Sequence, residues 1–319
     1  MEIDKNMRKA LLIGIDDYPG LPLTGCVNDA SILSGVIEKN GDGSPNFSVR
    51  LKNNIPKKSE LKGEIVELFD GEGDVALLYF SGHGYLDITG GYIVTPDYEK
   101  HDEGVSMEEI LTLANKSKIK NKIIILDCCH SGSFGSPEVS GGHVSQISEG
   151  IVVLTASLST ETAAEIDGHG VFTGLLLDAI QGGAADLMGR ITPGGIYAYI
   201  DQALGPWDQR PVFKTNVTNF TSLRTVTPPV SPDILRKIVE YFPTPEAEYL
   251  LDPSFEDTNV DIAKPENVAI FKNLQKFQGV NLVRPVGEEY MYFAAQNSKS
   301  CKLTALGYHY WRLVTEGRI

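Results

Sequence analysis

An α/β fold with a mainly parallel β-sheet flanked by helices is what this sequence predicts, on three observations. Strand-like and helix-like apolar runs alternate along the first two thirds of the chain. The strand-like runs, such as ALLIGI, VALLYF and KIIIL, are continuous rather than alternating in polarity, which implies burial on both faces. Two of them end in clusters of polar residues and glycine, as strands do at the ligand-binding edge of open α/β sheets.

The elements follow in order. ALLIGI reads as a strand, CVNDASILSGVIEKN as a helix, FSVRLK as a strand and KKSELKGEIVELF as a helix. DVALLYF is the next strand, SMEEILTLANKS a helix, NKIIILDC and GIVVLTA strands, GVFTGLLLDAI a helix, and RPVFKT the last candidate strand. The Gly- and Ser-rich stretch from Phe134 to Gly150 reads as a mobile loop. TVTPPVSPD then places three prolines in nine residues, which neither a helix nor a central strand tolerates. The organisation expected is therefore a domain over residues 1–226, a Pro-rich linker over 227–232 and an accessory domain over 233–319. In the last, KPENVAIFKNLQKFQG reads as a helix, VNLVRPVGEEYMYFAA as a hairpin and KLTALGYHYWRLVTEGRI as a closing helix, an α+β order resembling a winged-helix-like module.

Composition excludes some functions. Of 319 residues 42% are hydrophobic and 22% charged, ordinary for a globular protein with a real core. The net charge of −14 disfavours nucleic acid and anionic membranes as partners. Residues 233–319 carry 10 basic against 12 acidic side chains and no basic stripe, so that module is expected to bind protein, such as an activating partner, rather than DNA. Its aromatic clusters YMYF and YHYWRL serve a core at least as readily as an interface. The apolar run near the N-terminus is too short for a signal-peptide core, and nothing approaches the ~20 residues of a membrane span, so a cytoplasmic location is expected. Four cysteines, two of them adjacent, do not form an ordinary disulfide framework and are expected to be reduced, with Cys301 buried and inert.

The chemistry concentrates at two strand ends. VALLYF runs into Ser81-Gly82-His83-Gly84, and KIIIL into Asp127-Cys128-Cys129-His130. If the two strands are neighbours, His83 faces a cysteine, and a histidine that takes a thiol proton makes the thiolate nucleophile of acyl transfer. Glycines flanking His83 suit a tight turn that lets substrate backbone approach. Side chains alternate along a strand, so Asp127 and Cys129 share a face and Cys128 points the other way, as a small buried residue. Adjacent side chains rarely align for proton transfer, which leaves His130 a structural role. Three consecutive residues do not converge on one tetrahedral ion, so no metal is assigned to Cys128, Cys129 and His130.

SGHG after one hydrophobic strand and DCCHSG after the next long one resemble the caspase and metacaspase clan of cysteine peptidases. The D-x-C-H-S-G form is closer to metacaspases and bacterial caspase homologues than to the QACRG stretch of caspases. His83 precedes Cys129 by 46 residues, in keeping with the separation of about 50 in caspases. ALLIGIDDYPGLPLTGCVNDA and GVFTGLLLDAI also resemble clan elements, and the likeness spans roughly residues 8 to 215. It implies a Cys-His dyad in which Cys129 attacks a peptide carbonyl and His83 protonates the leaving amine, with N–H groups at Gly84 and Cys129 as oxyanion donors. It also implies an acidic pocket for the residue before the scissile bond. Asp29 and Asp127 match its positions, and Ser81 and Asp97 match neighbouring ones.

A carboxylate pair selects a protein substrate with Arg ahead of Lys at the cleavage site. The competing reading of Asp29 is a carboxylate that caps a helix or favours its dipole. No Lys or Arg occurs between Lys122 and Arg190, so a basic-specific enzyme does not cut itself within the 134–150 loop and any self-processing falls at sites such as Arg190, Arg210 or Arg224. No cofactor is expected. Some relatives need calcium, for which Asp87, Asp97, Glu99, Asp102 and Glu103 are the candidates, against a solvated hairpin. The rival functions are a catalytically silent caspase-like scaffold and a non-peptidase Cys-His acyl hydrolase. A role in bacterial defence or stress-linked cell death is what the resemblance suggests.

Overall fold

The computed structural model describes residues 7–87, 90–128, 147–156, 165–166, 169–204 and 210–319. The chain forms two compact units, Met1–Asp186 with Arg190–Val226, and Leu187–Gly189 with Thr227–Ile319. In the first, β1 (Arg8–Gly14), α1 (Cys26–Ile37), β2 (Ser48–Asn53), α2 (Lys58–Phe69) and β3 (Val75–Ser81) follow one another. A three-stranded antiparallel ribbon comes next, formed by β4 (Gly84–Asp87), β5 (Gly90–Glu99) and β6 (Asp102–Ser106). After it run α3 (Met107–Lys116), β7 (Asn121–Asp127), β8 (Ile151–Thr155) and the short pair β9 (Glu165–Ile166) and β10 (His169–Gly170). The unit ends with α4 (Val171–Asp178), β11 (Arg190–Ile191), α5 (Pro193–Leu204), β12 (Val212–Asn216) and β13 (Arg224–Thr225). Helix α5 is not among the predicted elements because its Pro-Gly-Gly start reads as a turn, although proline is at home in a first helical turn.

Six strands make one sheet in the order β12-β8-β7-β3-β1-β2, with every pair parallel except β12 against β8. The continuous apolar runs split by parity between its two faces. Leu11, Ile13, Leu78, Phe80, Ile124 and Leu126 pack with α2 and α3, while Leu12, Leu77, Tyr79, Ile123 and Ile125 pack with α1, α4 and α5. Each large side chain so buried contributes about 1.5–3 kcal/mol. Helix α3 is set by Ser106, whose Oγ accepts the Glu108 N–H at 3.2 Å, by Glu108 and Glu109 in its first turn and by Lys116 in its last.

The start of α1 rests directly on the end of β1. A Cβ at Gly14 would stand 2.2 Å from the Cys26 carbonyl oxygen, so only glycine permits this approach. Gly14→Ala is therefore expected to lower stability by about 2 kcal/mol and to displace Cys26 and Asp29. Thermal unfolding checks it: an unchanged midpoint would mean that α1 is free to retreat.

In the second unit, α6 (Pro232–Arg236) and α7 (Ile238–Tyr241) precede β14 (Glu248–Leu250), α8 (Pro265–Gly279), β15 (Val283–Val286), α9 (Met291–Gln296), β16 (Ser300–Leu303) and α10 (Ala305–Thr315). The strands pair antiparallel in the order β14-β16-β15. The hairpin expected over residues 280–295 does not form: VRPV is β15, MYFAAQ is α9, and the strand that pairs with β15 is SCKL. Met291, Ala294 and Ala295, spaced i, i+3 and i+4, are all buried, and this helical stripe overrides the strand propensity of the aromatics between them. Strands interleaved with helices thus replace the helix, hairpin, helix order that prompted the winged-helix-like reading. Val230, inside the Pro-rich stretch, is buried in this unit's core with Phe242, Phe277 and Cys301. Trp311 also serves the unit, its indole N–H donating to the Phe242 carbonyl at 2.7 Å.

Candidate active site

The site is built on the carboxyl edge of the sheet. β3 and β7 are hydrogen-bonded neighbours with Ser81 opposite Asp127, and β1 lies on the other side of β3 with Gly14 opposite Ser81. Two residues beyond Ser81 comes His83. Its Nε2 lies 2.8 Å from the Leu21 carbonyl oxygen, which only accepts, so Nε2 carries the hydrogen and Nδ1 is the basic nitrogen of the neutral ring. Tyr18 braces it: the phenol accepts the His83 N–H at 3.1 Å, donates to the Val94 carbonyl at 3.1 Å, and packs edge-on to the imidazole with 4.6 Å between centroids. Burial holds the Tyr18 hydroxyl protonated far above the ordinary phenol range.

Gly82 makes the approach possible, since a Cβ there would stand 2.6 Å from the Tyr18 hydroxyl. The glycine before His83 thus makes room for the tyrosine rather than for substrate. Gly84, expected as an oxyanion donor, opens β4 opposite Ile93. Cys129, the expected nucleophile and second donor, lies outside the described residues, as do His130 and most of the 134–150 loop. Cys128 is buried and packs in the same core as Leu126, away from the face of Asp127.

Asp29, Ser81 and Asp127 come together. Asp29 is 2% exposed and Ser81 3%. Asp127 is held by Thr173, whose hydroxyl donates to its Oδ2 at 2.6 Å. Burial raises the Asp127 carboxyl, the negative charge of Asp29 raises it further and the Thr173 hydrogen bond opposes both, for a value of about 6 against an ordinary 3.8. Asp29 does not cap α1. The N-cap is Gly25 in the left-handed region, at φ 105°, and Asp16 from the loop after β1 accepts the Cys26 and Val27 N–H groups at 3.0 and 3.2 Å. Asp29 lies in the first turn of α1, where the helix dipole favours a carboxylate, with its own N–H on the Gly25 carbonyl at 2.7 Å.

Cys26 joins this cluster unforeseen. Burial pushes its thiol up to about 12, with the Ser81 hydroxyl opposing the rise and Asp16 and Asp127 adding to it, so it stays protonated near neutral pH. The C-x-x-D spacing that puts Cys26 and Asp29 a turn apart on α1 was the signal available for it.

Asp97 stands elsewhere. It is exposed on β5, and its Oδ1 accepts the Lys58 N–H at 3.0 Å at the start of α2, so it is a helix-start carboxylate rather than part of the acidic pocket. Of the carboxylates considered for calcium, Asp97 and Asp102 both bond to Lys58, and Glu103 accepts the His101 N–H at 2.9 Å. Among the described residues no three His, Cys, Asp or Glu side chains group to hold a metal ion, and no helix is long and apolar enough to cross a membrane.

A six-stranded, mainly parallel sheet flanked by helices defines a caspase-like α/β protein. The profile of the caspase domain family of peptidases matches residues 7–214, most of the first unit, and the chain belongs to that family of cysteine peptidases. No curated protein compared with the chain matches it.

Proposed function

We propose that the chain is a cysteine endopeptidase that cleaves after basic residues, Arg ahead of Lys. Register carries the reading: with Ser81 opposite Asp127 on paired parallel strands, the segments leading to His83 and Cys129 begin side by side at one sheet edge. His83 Nδ1 takes the Cys129 thiol proton, and the thiolate attacks the peptide carbonyl carbon. Backbone N–H groups at Gly84 and Cys129 receive the oxyanion. The imidazolium then protonates the leaving amine, and a water activated by the same ring hydrolyses the thioester.

Basic specificity is supported by Asp29 and Asp127, two carboxylates whose charges work against each other in a buried place. Among the described residues, the side chains that shift Asp127 are Thr173 and Asp29. A substrate guanidinium supplies a counter-charge and a planar fork of donors, with Ser81 and Cys26 as further polar partners. Control by a protein partner, in a reducing cytoplasmic setting, fits the second unit, where Tyr290, Tyr292 and Phe293 stay exposed around buried Met291.

Fluorogenic peptides ending in Arg, Lys or Asp test the reading on purified protein. Arg is expected to be cleaved best, Lys next, and Asp at least roughly a hundredfold less. The incubated chain is expected to stay unsplit over residues 123–189. Of the candidate sites outside that span, Arg210 precedes Pro211, while Arg190 is paired with the Asp186 carboxylate and Arg224 is tied to the Lys39 and Ile180 carbonyls, so any self-processing there needs local opening. Cleavage after Asp, or a cut within residues 134–150, would contradict basic specificity. No cleavage of any peptide, with or without candidate partners, would favour the silent scaffold.

A further inference from the structure

We propose that Thr173 and Tyr79 are positioning residues for substrate recognition: a buried relay from the Tyr79 hydroxyl through the Thr173 hydroxyl to Asp127 Oδ2 fixes this carboxylate so that Oδ1 meets the substrate's basic side chain. The inference rests on the reading of Asp127 as a specificity residue. Tyr79 lies on β3 and Thr173 in the first turn of α4, and both are fully buried. Tyr79 Oη is 2.7 Å from Thr173 Oγ1, which is 2.6 Å from Asp127 Oδ2.

Proton accounting sets the direction. A hydroxyl has one hydrogen, and an ionised carboxylate only accepts, so Thr173 donates to Asp127 and its lone pair accepts from Tyr79. Tyr79 has a hydrogen to give, because burial keeps the phenol protonated far above its ordinary range. The chain is therefore polarised towards the carboxylate. It also occupies one oxygen, which leaves Oδ1 for a cation.

The other groups facing Asp127 make this anchor necessary. Asp29 and Cys26 approach from α1, Ser81 lies opposite on β3, and Gly170 at the end of β10 borders Oδ2, where a Cβ would make ordinary contact at 3.5 Å. Asp29 repels the Asp127 charge, and among the described residues the Thr173 hydroxyl donates a hydrogen bond that offsets it. The same small cluster thus holds a carboxylate ionised against a like charge until substrate arrives.

Thr173→Val keeps the shape and removes the donor. With Arg-ending peptides at pH 7.5 it is expected to raise KM roughly tenfold and to move the acid limb of kcat/KM upward. Thr173→Ser, which keeps the hydroxyl, is expected to restore both, and Tyr79→Phe to give a smaller rise. Alkylation of Cys129 by iodoacetamide, followed by peptide mapping, involves no basic side chain and is expected to keep its wild-type rate in all three. If Thr173→Val fails to fold, the Thr173→Ser and Tyr79→Phe pair still decides, because the relay requires serine to be near wild type and phenylalanine to be impaired. Wild-type KM and pH profile in Thr173→Val or Tyr79→Phe, while Asp127→Asn loses Arg cleavage, would overturn the relay alone. Full Arg cleavage by Asp127→Asn would instead overturn the specificity reading beneath it.

Discussion

Cys129→Ala is expected to abolish cleavage of Arg-ending peptides, with a loss of at least roughly 10⁴-fold in kcat/KM. Alanine ends at Cβ and has no lone pair to attack with, and no other thiol can substitute. Cys128 is turned into the core, Cys301 is buried in the second unit, and Cys26 is held protonated by burial. His83→Ala removes the base and proton donor and is expected to fall to a similar floor. Because the two act as one unit, the double variant is expected to be no worse than the weaker single. Steady-state kinetics on folded variants checks this. Residual turnover in Cys129→Ala within tenfold of wild type would mean that another group attacks.

Asp127→Asn has the second largest expected effect, and it splits stability from activity. In the folded chain Asp127 titrates near 6 rather than 3.8, so between about pH 4 and pH 6 the folded state binds more protons than the unfolded one. Stability therefore falls as pH rises through that window, and above it the full cost of a buried charge beside Asp29 remains. Asparagine removes the charge while its carbonyl still accepts from Thr173. The variant is expected to gain about 1–2 kcal/mol at pH 7 and nothing below pH 4. Arg cleavage is expected to fall roughly a hundredfold, since a buried guanidinium would lose one of its two counter-charges. In the wild type, the same protonation is expected to raise KM for Arg peptides below about pH 6. Chemical unfolding at the two pH values, beside KM against pH, checks both halves. A variant that is less stable at pH 7 yet cleaves Arg normally would remove Asp127 from the pocket.

The sheet was legible because its strands bury both faces, so that ALLIGI, VALLYF and KIIIL are unbroken apolar runs, and the site was legible where it lies at their ends. Asp29, Ser81 and Asp127 fall together because they occupy the ends of α1, β3 and β7. Asp97 misled because its resemblance was positional, while its carboxylate is drawn to the free N–H groups at the start of α2. What sequence left hidden comes from tertiary approach. Tyr18 reaches His83 only because Gly82 lacks a Cβ, the Leu21 carbonyl leaves no trace in side-chain identity, and Thr173 lies 46 residues from the carboxylate it holds. In the second unit, YMYF has strand propensity, and only the buried spacing of Met291, Ala294 and Ala295 makes it helical.

A peptidyl-Arg chloromethyl ketone tests the central claim most directly, because it needs both the nucleophile and the acidic pocket. Incubated with the protein and mapped by mass spectrometry, it is expected to alkylate Cys129, at a rate strongly reduced in His83→Ala and in Asp127→Asn, while the Asp ketone reacts poorly. An adduct on Cys26 or Cys128 instead, or faster labelling by the Asp reagent, would contradict the account.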